Sequence, residues 1–433
     1  MKLSPLSASK PFKVEKLPFF YGWVIMLLST LGFLASIPGQ TMGMAVFTDF
    51  LIVALDLTRT QLSMAYLLGT VASALLLTRA GVLYDRWGGR IMIPVASVAL
   101  GLMVIFISFV GQVSSFFGGG TAISFIAIML GYFGVRFWGQ GVLTSASRNI
   151  LLVWFERRRG LVSGIRGVFV SLGFSMSPLL LAWMIADVGW RGTLWLMAFV
   201  VGLVFAVVAV IFLRDNPQEC GVMPDGKAID QNQDSVAKLP NSFTLDQARK
   251  SRAFWLISLS LSIHSLLITA ITFHIVSIFE LAGRDEKQAF AFFLPSALVS
   301  TSVNLLASWQ ADNRPLRPFI FFMLLSFLFG AFGLLNLGSQ WGLLLMILGI
   351  GAGGGLWGVV SNLAFIRYFG PIHLGAISGL CTSLMVFASA IGPALFSVGL
   401  DVTDSYSLPI YFCGVVILVL LGSSLFLRQK ELA

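Results

Sequence analysis

Charge is scarce in this chain. Of its 433 residues only 11% are Asp, Glu, Lys or Arg, against roughly 25% in a soluble globular protein. That shortage argues against an ordinary water-soluble domain. Cysteine is almost missing: Cys220, Cys381 and Cys413 are too few and too scattered for a disulfide framework or a zinc site. Histidine is equally sparse, with His264, His274 and His373 alone. Three histidines and no acid deep in an apolar run argue against a membrane-embedded enzyme. The chain also has no phosphate-binding glycine loop ending in Lys-Ser or Lys-Thr, which argues against an ATP-driven pump. No metal and no cofactor are expected, and the protein is expected not to be an enzyme.

What is abundant is apolar surface. Hydrophobic residues make up 57% of the chain, and the mean hydropathy is +0.90. This reads as a polytopic membrane protein whose partner is the lipid bilayer, its many glycines allowing neighbouring helices to approach closely. The net charge of +9 does not imply a nucleic-acid partner, because the basic residues are spread over loops along the whole chain. Four lysines precede Phe19, but the apolar run then continues for a full span, so no cleavable signal peptide is expected.

A membrane-crossing helix needs about 20 mostly apolar residues. Twelve such stretches can be drawn, at 20–46, 60–81, 91–111, 121–147, 161–186, 193–213, 253–281, 289–310, 319–337, 341–366, 375–400 and 409–427. Twelve crossings put both termini on one side. That side collects 23 of the 28 Lys and Arg, whereas the other holds Arg59, Arg191, Arg284 and Lys287. By the positive-inside rule the termini are cytoplasmic. The expected organisation is a cytoplasmic tail (1–19), a six-helix bundle (20–213), a cytoplasmic linker (214–252) and a second six-helix bundle (253–433). The linker mixes Pro, Gly, Asn and both charge signs, with a surface helix expected near Leu245–Arg252. It receives no chemical role.

The two halves repeat. Gly160, Ser163, Gly164 and Pro178 recur as Gly375, Ser378, Gly379 and Pro393, each 215 residues on. Trp154-Phe155 is echoed by Tyr368-Phe369, and GVLYD at 81–85 more weakly by SWQAD at 308–312. Equivalent helices in the same orientation indicate an all-α membrane protein of twelve helices in two parallel six-helix repeats. Transporters of this build bind substrate near the midplane and alternate access by rocking.

The loop GVLYDRWGGR resembles the signature between the second and third helices of the major facilitator superfamily, matching at Gly81, Asp85, Arg86, Gly88 and Arg90, with Ile91 in place of the usual last basic residue. The resemblance implies a conformational latch at Gly81, Asp85, Arg86 and Arg90, with Asp85 able to meet the positive end of a neighbouring helix. The opening FYGWVIMLLS resembles the start of the monocarboxylate and oxalate–formate branch. Members of that branch generally bind carboxylate through a basic residue in the eighth helix, and here no Lys or Arg lies between Lys287 and Arg314.

One cation stands apart from all the loops. Arg136, in GYFGVRFWGQG, lies about 3 Å from the midpoint of the fourth span at 1.5 Å rise per residue. A lone Arg there costs about 2.5–3.5 kcal/mol on insertion scales. All 19 Asp and Glu fall in loops or near helix ends, so none can neutralise it within the membrane. Two explanations stay open. In one, a substrate carboxylate supplies the missing charge, worth about 4 kcal/mol at 4 Å and an effective dielectric near 20. Alternatively Arg136 is structural, bonded to backbone carbonyls or to Gln140 one turn on. RFWGQG also resembles a fourth-helix pattern of some superfamily efflux pumps, in which Arg is followed by Gln-Gly, with a spacing one residue longer here.

Further substrate-binding candidates are Gln140 and Tyr132 on the Arg136 face, Gln40 beside the helix-breaking Pro38 in IPGQTMG, His264, Asn304 and Trp357. His264 and His274 are the candidate proton carriers, since histidine titrates near neutral pH. The expected function is secondary active transport by alternating access of a small organic anion such as a monocarboxylate, with a proton as co-substrate. The alternatives are efflux of hydrophobic or drug-like compounds with Arg136 structural, and a non-transporting membrane sensor. The protein is expected to act as a monomer, multi-pass in the inner or plasma membrane of a bacterium.

Overall fold

The computed structural model describes residues 11–226 and 242–427. Lys2, Lys10, Arg428 and Lys430, the first part of the expected tail and the middle of the expected linker lie outside the described residues. Among those described there is no strand. Ten helices are long and apolar enough to cross a membrane, and one more is apolar but shorter. In chain order they are α1 (Gly22–Ala35), α2 (Arg59–Trp87), α3 (Gly89–Ser108), α4 (Thr121–Trp154), α5 (Arg159–Phe212), α6 (Arg252–Leu281), α7 (Lys287–Ala311), α8 (Arg317–Leu335), α9 (Gln340–Phe369), α10 (Leu374–Thr403) and α11 (Ser407–Leu425).

Two departures from the expected spans reconcile this count with twelve crossings. The 54-residue α5 is two helices that meet at Gly189, whose φ of +74° only glycine adopts without strain. The first span, expected to run 20–46, stops at Ala35. Pro38 has no backbone N–H to continue the ladder, and the chain instead makes a 3-10 turn at Ile37–Gly39 followed by the short helix Thr41–Ala45.

Helix starts follow local chemistry. Thr58 and Gln61 form a reciprocal capping box at the start of α2, the Gln61 N–H donating to Thr58 Oγ1 at 3.2 Å and the Thr58 N–H to Gln61 Oε1 at 2.8 Å. Ser251 and Ser339 cap α6 and α9 in the simpler way. The surface helix expected in the linker is present at Leu245–Lys250, with Thr244 as its cap. Large apolar side chains such as Leu75, Leu179 and Trp183 are more than 70% exposed. That is the reverse of a water-soluble surface and suits contact with lipid tails.

The chain forms two compact units. Among the described residues, one comprises 11–157, 169–226 and 373–383, the other 158–168, 242–372 and 384–427. In the first, α2 packs on α4, and α3 on the later part of α5, over buried residues including Leu100, Val104, Ile128, Val135 and Leu143. The residues after α5 are built into this unit. Asp215 Oδ1 accepts the Arg90 N–H at 2.9 Å, at the start of α3, and the Trp154 indole donates to the Arg214 carbonyl at 2.9 Å. In the second unit, α9 packs against α7 and α8, and α11 against α6 and α8, around Met323, Leu324, Phe327 and Val360.

Candidate functional site

The break in the first span creates the surroundings of Arg136. Gly39 ends the 3-10 turn and Gln40 is extended (φ −88°, ψ 152°), so the Gly39 carbonyl is free of the helix ladder. Arg136 Nη1 donates to that carbonyl at 3.2 Å and to Thr41 Oγ1 at 3.3 Å. Thr41 Oγ1 in turn pairs with the Tyr66 hydroxyl at 2.7 Å. The guanidinium carbon lies 5.2 Å from the centre of the Tyr66 ring, which meets the Tyr132 ring edge to face at 5.1 Å.

Arg136 also marks a change in α4 itself. The helix is α from Thr121 to Val135, widens to a π-helix over Arg136–Leu143, and returns to α at Thr144. Such segments occur often at functional sites. Gly139 lies within the widened segment and meets Gly39 backbone to backbone. A methyl group on Gly139 would lie 2.8 Å from the Gly39 Cα.

The energetics of Arg136 are mixed. Hydrogen bonds to a charged group contribute about 1.5–3 kcal/mol each, and a desolvated cation–π contact up to about 2 kcal/mol. These offset an insertion cost of the same size without any carboxylate. The guanidinium is not fully satisfied, however. Arg136 is 2% exposed, and its Nε is buried with no hydrogen-bond partner among the described residues. Its hydrogen bonds all come from Nη1. The Nε–Nη2 edge, one of the two that can grip a carboxylate with parallel bonds, is uncommitted. No hydrogen bond joins Arg136 to Gln140, whose Oε1 is likewise buried and without a partner.

The first unit thus gathers Arg136, Tyr132 and Gln140 from the expected set, with Gln40 beside them donating to Ser36 Oγ at 3.0 Å. Sequence reading missed Thr41 and Tyr66. Thr41 adjoins the Pro38 break, which was the available signal, whereas nothing in the local pattern around Tyr66 ties it to a residue 70 positions away.

The second unit holds the other candidates. The His264 ring lies against Phe327 (5.0 Å) and Trp357 (4.9 Å), with Nδ1 unpartnered among the described residues. The Trp357 indole donates to the Leu261 carbonyl at 3.2 Å, and Asn304 Nδ2 to the Gly355 carbonyl at 2.9 Å. Arg166 Nη2 donates to Asn362 Oδ1 at 2.6 Å, a pair that sequence reading did not anticipate. His274 has a richer setting. Its Nε2 faces the Pro393 carbonyl at 3.0 Å and Ser397 Oγ at 3.4 Å, and its Nδ1 faces the Tyr406 hydroxyl at 3.2 Å. Tyr406 passes a further hydrogen bond to Ser277 at 3.0 Å.

In the latch signature, Asp85 accepts the N–H groups of Gly375 and Ala376, each at 2.7 Å, at the start of α10. Gly81 packs on the same turn, where a methyl group would meet the Gly375 carbonyl carbon at 2.7 Å. Arg86 is exposed, and Arg90 is buried, its N–H held by Asp215. In the second unit Asp312 accepts the N–H groups of Gly160 (2.5 Å) and Leu161 (2.9 Å) at the start of α5. Among the described residues no cluster of three or more His, Cys, Asp or Glu could hold a metal ion.

Comparison with known proteins agrees with this architecture. The family model described as Major Facilitator Superfamily matches residues 22–393. A hexuronate transporter of Bacillus subtilis (strain 168) is 25% identical over 237 residues, 54% of this chain and 51% of that protein. The chain therefore spans about half the length of this curated relative. Among solved structures, a proton:xylose symporter bound to 6-bromo-6-deoxy-D-glucose superposes with a TM-score of 0.71 at 16% identity, covering 95% of this chain and 98% of the other. The fucose:proton symporter of E. coli superposes with a TM-score of 0.60 at 14% identity, covering 94% and 99%. At these identities the two structures speak for the fold alone.

Proposed function

The chain belongs to the Major Facilitator Superfamily and is a multi-pass membrane transporter rather than an enzyme; on that premise we propose that it carries a small organic anion, a monocarboxylate, by alternating access. The observation that carries this reading is the uncommitted Nε–Nη2 edge of a buried Arg136 with no acidic partner among the described residues. A carboxylate brings two acceptors spaced for that edge. The similarity to a hexuronate transporter supports the same class, since a hexuronate carries a single carboxylate.

A proton travels with the anion. His274 is the better candidate carrier, because each ring nitrogen has a hydroxyl neighbour able to relay a proton, Tyr406 at Nδ1 and Ser397 at Nε2. His264, packed against two aromatic rings, lacks such a relay among the described residues. The protein works as a monomer in a bacterial inner membrane with both termini cytoplasmic, the side on which the basic loops collect. Each six-helix half acts as one body, and residues 214–252 link them.

A second reading has its own observation. Arg136 is tied to the Gly39 carbonyl and to Thr41, as a purely structural residue would be. Efflux of a hydrophobic compound then replaces anion transport. Thermal shifts of the purified full-length protein separate the two. If Arg136 binds the anion, carboxylates stabilise the wild type, neutral analogues do not, and Arg136→Gln loses the shift. Removing one partner of a buried charge pair costs about 2–5 kcal/mol, so affinity should fall at least about tenfold. A carboxylate shift that survives Arg136→Gln, or none in the wild type, overturns the reading in favour of the structural role.

A further inference from the structure

The polar atoms around Arg136 are not matched by a carboxylate alone. Its Nε–Nη2 edge offers donors without acceptors, which a carboxylate satisfies. Gln140 Oε1, four residues along the same helix, is the opposite case, a buried acceptor without a donor among the described residues. An anion with an alkyl tail would leave that oxygen unpaired, and the loss of its hydration would count against binding. Beside them lies a third feature, the pair of hydroxyls on Thr41 and Tyr66. Hydroxyls can donate or accept as needed, so this pair can take a further ligand hydroxyl of either polarity.

Resting on the reading of Arg136 as the anion anchor, we infer that the substrate is a hydroxylated carboxylate, whose acid group takes the free edge of Arg136 while a hydroxyl donates to Gln140 Oε1 and others meet Thr41 and Tyr66. Gln140, Thr41 and Tyr66 are then specificity-determining residues. A site built around polar groups rejects an analogue that lacks the matching hydroxyl more strongly than an apolar pocket rejects an extra one. Tyr66 has a second duty, since its ring face lies against the guanidinium. Tyr66→Phe keeps that face and deletes only the hydroxyl.

The test uses the full-length protein in lipid nanodiscs and three six-carbon probes: gluconate, hexanoate (the same acid without hydroxyls) and glucose (hydroxyls without the acid). Dissociation constants are measured for wild type, Arg136→Gln, Gln140→Leu and Tyr66→Phe, with melting temperatures as a folding check. The wild type should prefer gluconate to hexanoate by about tenfold or more, and glucose should bind weakly. Gln140→Leu should shrink the gluconate-to-hexanoate preference several-fold, and Tyr66→Phe should move it the same way. Arg136→Gln should lose both acids. If hexanoate binds as well as gluconate, or if the preference is untouched in both specificity variants, the hydroxyl inference fails while Arg136 as anion anchor stands. Should neither acid bind, or glucose match gluconate, the anion reading itself fails and the inference with it. If Gln140→Leu does not fold, Tyr66→Phe decides alone.

Discussion

Asp85 accepts two backbone N–H groups at the start of α10, those of Gly375 and Ala376, across 290 residues of sequence. Asp312 does the same for Gly160 and Leu161 at the start of α5. The weak echo between GVLYD and SWQAD and the strong one between Gly160 and Gly375 are therefore two sides of a single contact, made once in each unit. The first turn of a helix has unpaired donors and a partial positive charge, and a carboxylate answers both. The glycines matter because the carboxylate and the neighbouring backbone come close: a methyl group on Gly375 would lie 2.7 Å from Asp85 Oδ1, and one on Gly160 2.8 Å from Asp312 Oδ1.

Asp312→Ala should therefore cost as much as Asp85→Ala, although Asp312 stands outside the motif-bearing loop. Loss of such a cap destabilises by about 0.5–2 kcal/mol. Melting temperatures of the detergent-purified variants check this, with both expected to fall by a similar amount.

Gly139→Ala should be costly for a different reason. The new methyl group would meet the Gly39 Cα at 2.8 Å and the Gly39 N at 3.1 Å, and neither backbone atom can rotate away. Overpacking of this kind costs about 1–3 kcal/mol. Gly189→Ala, where a left-handed φ is the constraint and no atom lies within 4 Å, should destabilise through strain alone. Thermal denaturation of both variants measures the two effects, and only Gly139→Ala should disturb binding at Arg136.

The thiols should be unreactive in the folded protein. None of the three cysteines forms a disulfide among the described residues and all are buried, and burial pushes the Cys220 thiol up to about 11, only partly countered by Arg214. The reactive thiolate is then a minor species at about pH 8. A maleimide or aromatic disulfide reagent should label the native protein slowly and all three sites promptly after denaturation.

For proton coupling, His274→Gln should abolish the dependence of carboxylate uptake on an imposed pH gradient, because it removes the ring that the Pro393 carbonyl, Ser397 and Tyr406 surround. Tyr406→Phe should weaken the dependence without removing it, because the Pro393 carbonyl and Ser397 remain on the other ring nitrogen. Uptake into proteoliposomes under an imposed pH gradient gives the readout. An unchanged profile in His274→Gln would remove His274 from the coupling path.

Much of this architecture could be read from residue order alone, for a physical reason. Lipid imposes apolar runs of a set length, so the crossings are visible even where an end shifts, as α2 shifts from an expected 60–81 to Arg59–Trp87. Arg136 stood out because a charge in such a run is expensive. Backbone carbonyls were one expectation for its partners, but which carbonyl did not stand out. The acceptor proved to be the Gly39 carbonyl, and a carbonyl leaves no mark in residue identity, since every residue has one. Tyr66 was hidden for a related reason: its hydroxyl and ring face acquire meaning only when α2 and α4 are side by side. The linker received no chemical role because capping by Asp215 depends on the start of α3, 125 residues earlier.

The widened turn at Arg136–Leu143 gives a new sense to a small irregularity in the chain. RFWGQG is one residue longer between Arg and Gln-Gly than the fourth-helix pattern it resembles. In a regular α-helix one added residue would rotate everything beyond it by about 100°, carrying Asn149 and Ile150 off the faces they now bury. A π turn takes up the surplus locally, as a dislocation absorbs an extra row of atoms in a crystal, and the lattice on either side stays in phase. Deleting Phe137 or Trp138 should then heal the defect into plain α-helix with both flanks undisturbed, while changing the one distance that matters there, the separation between the guanidinium and the amide.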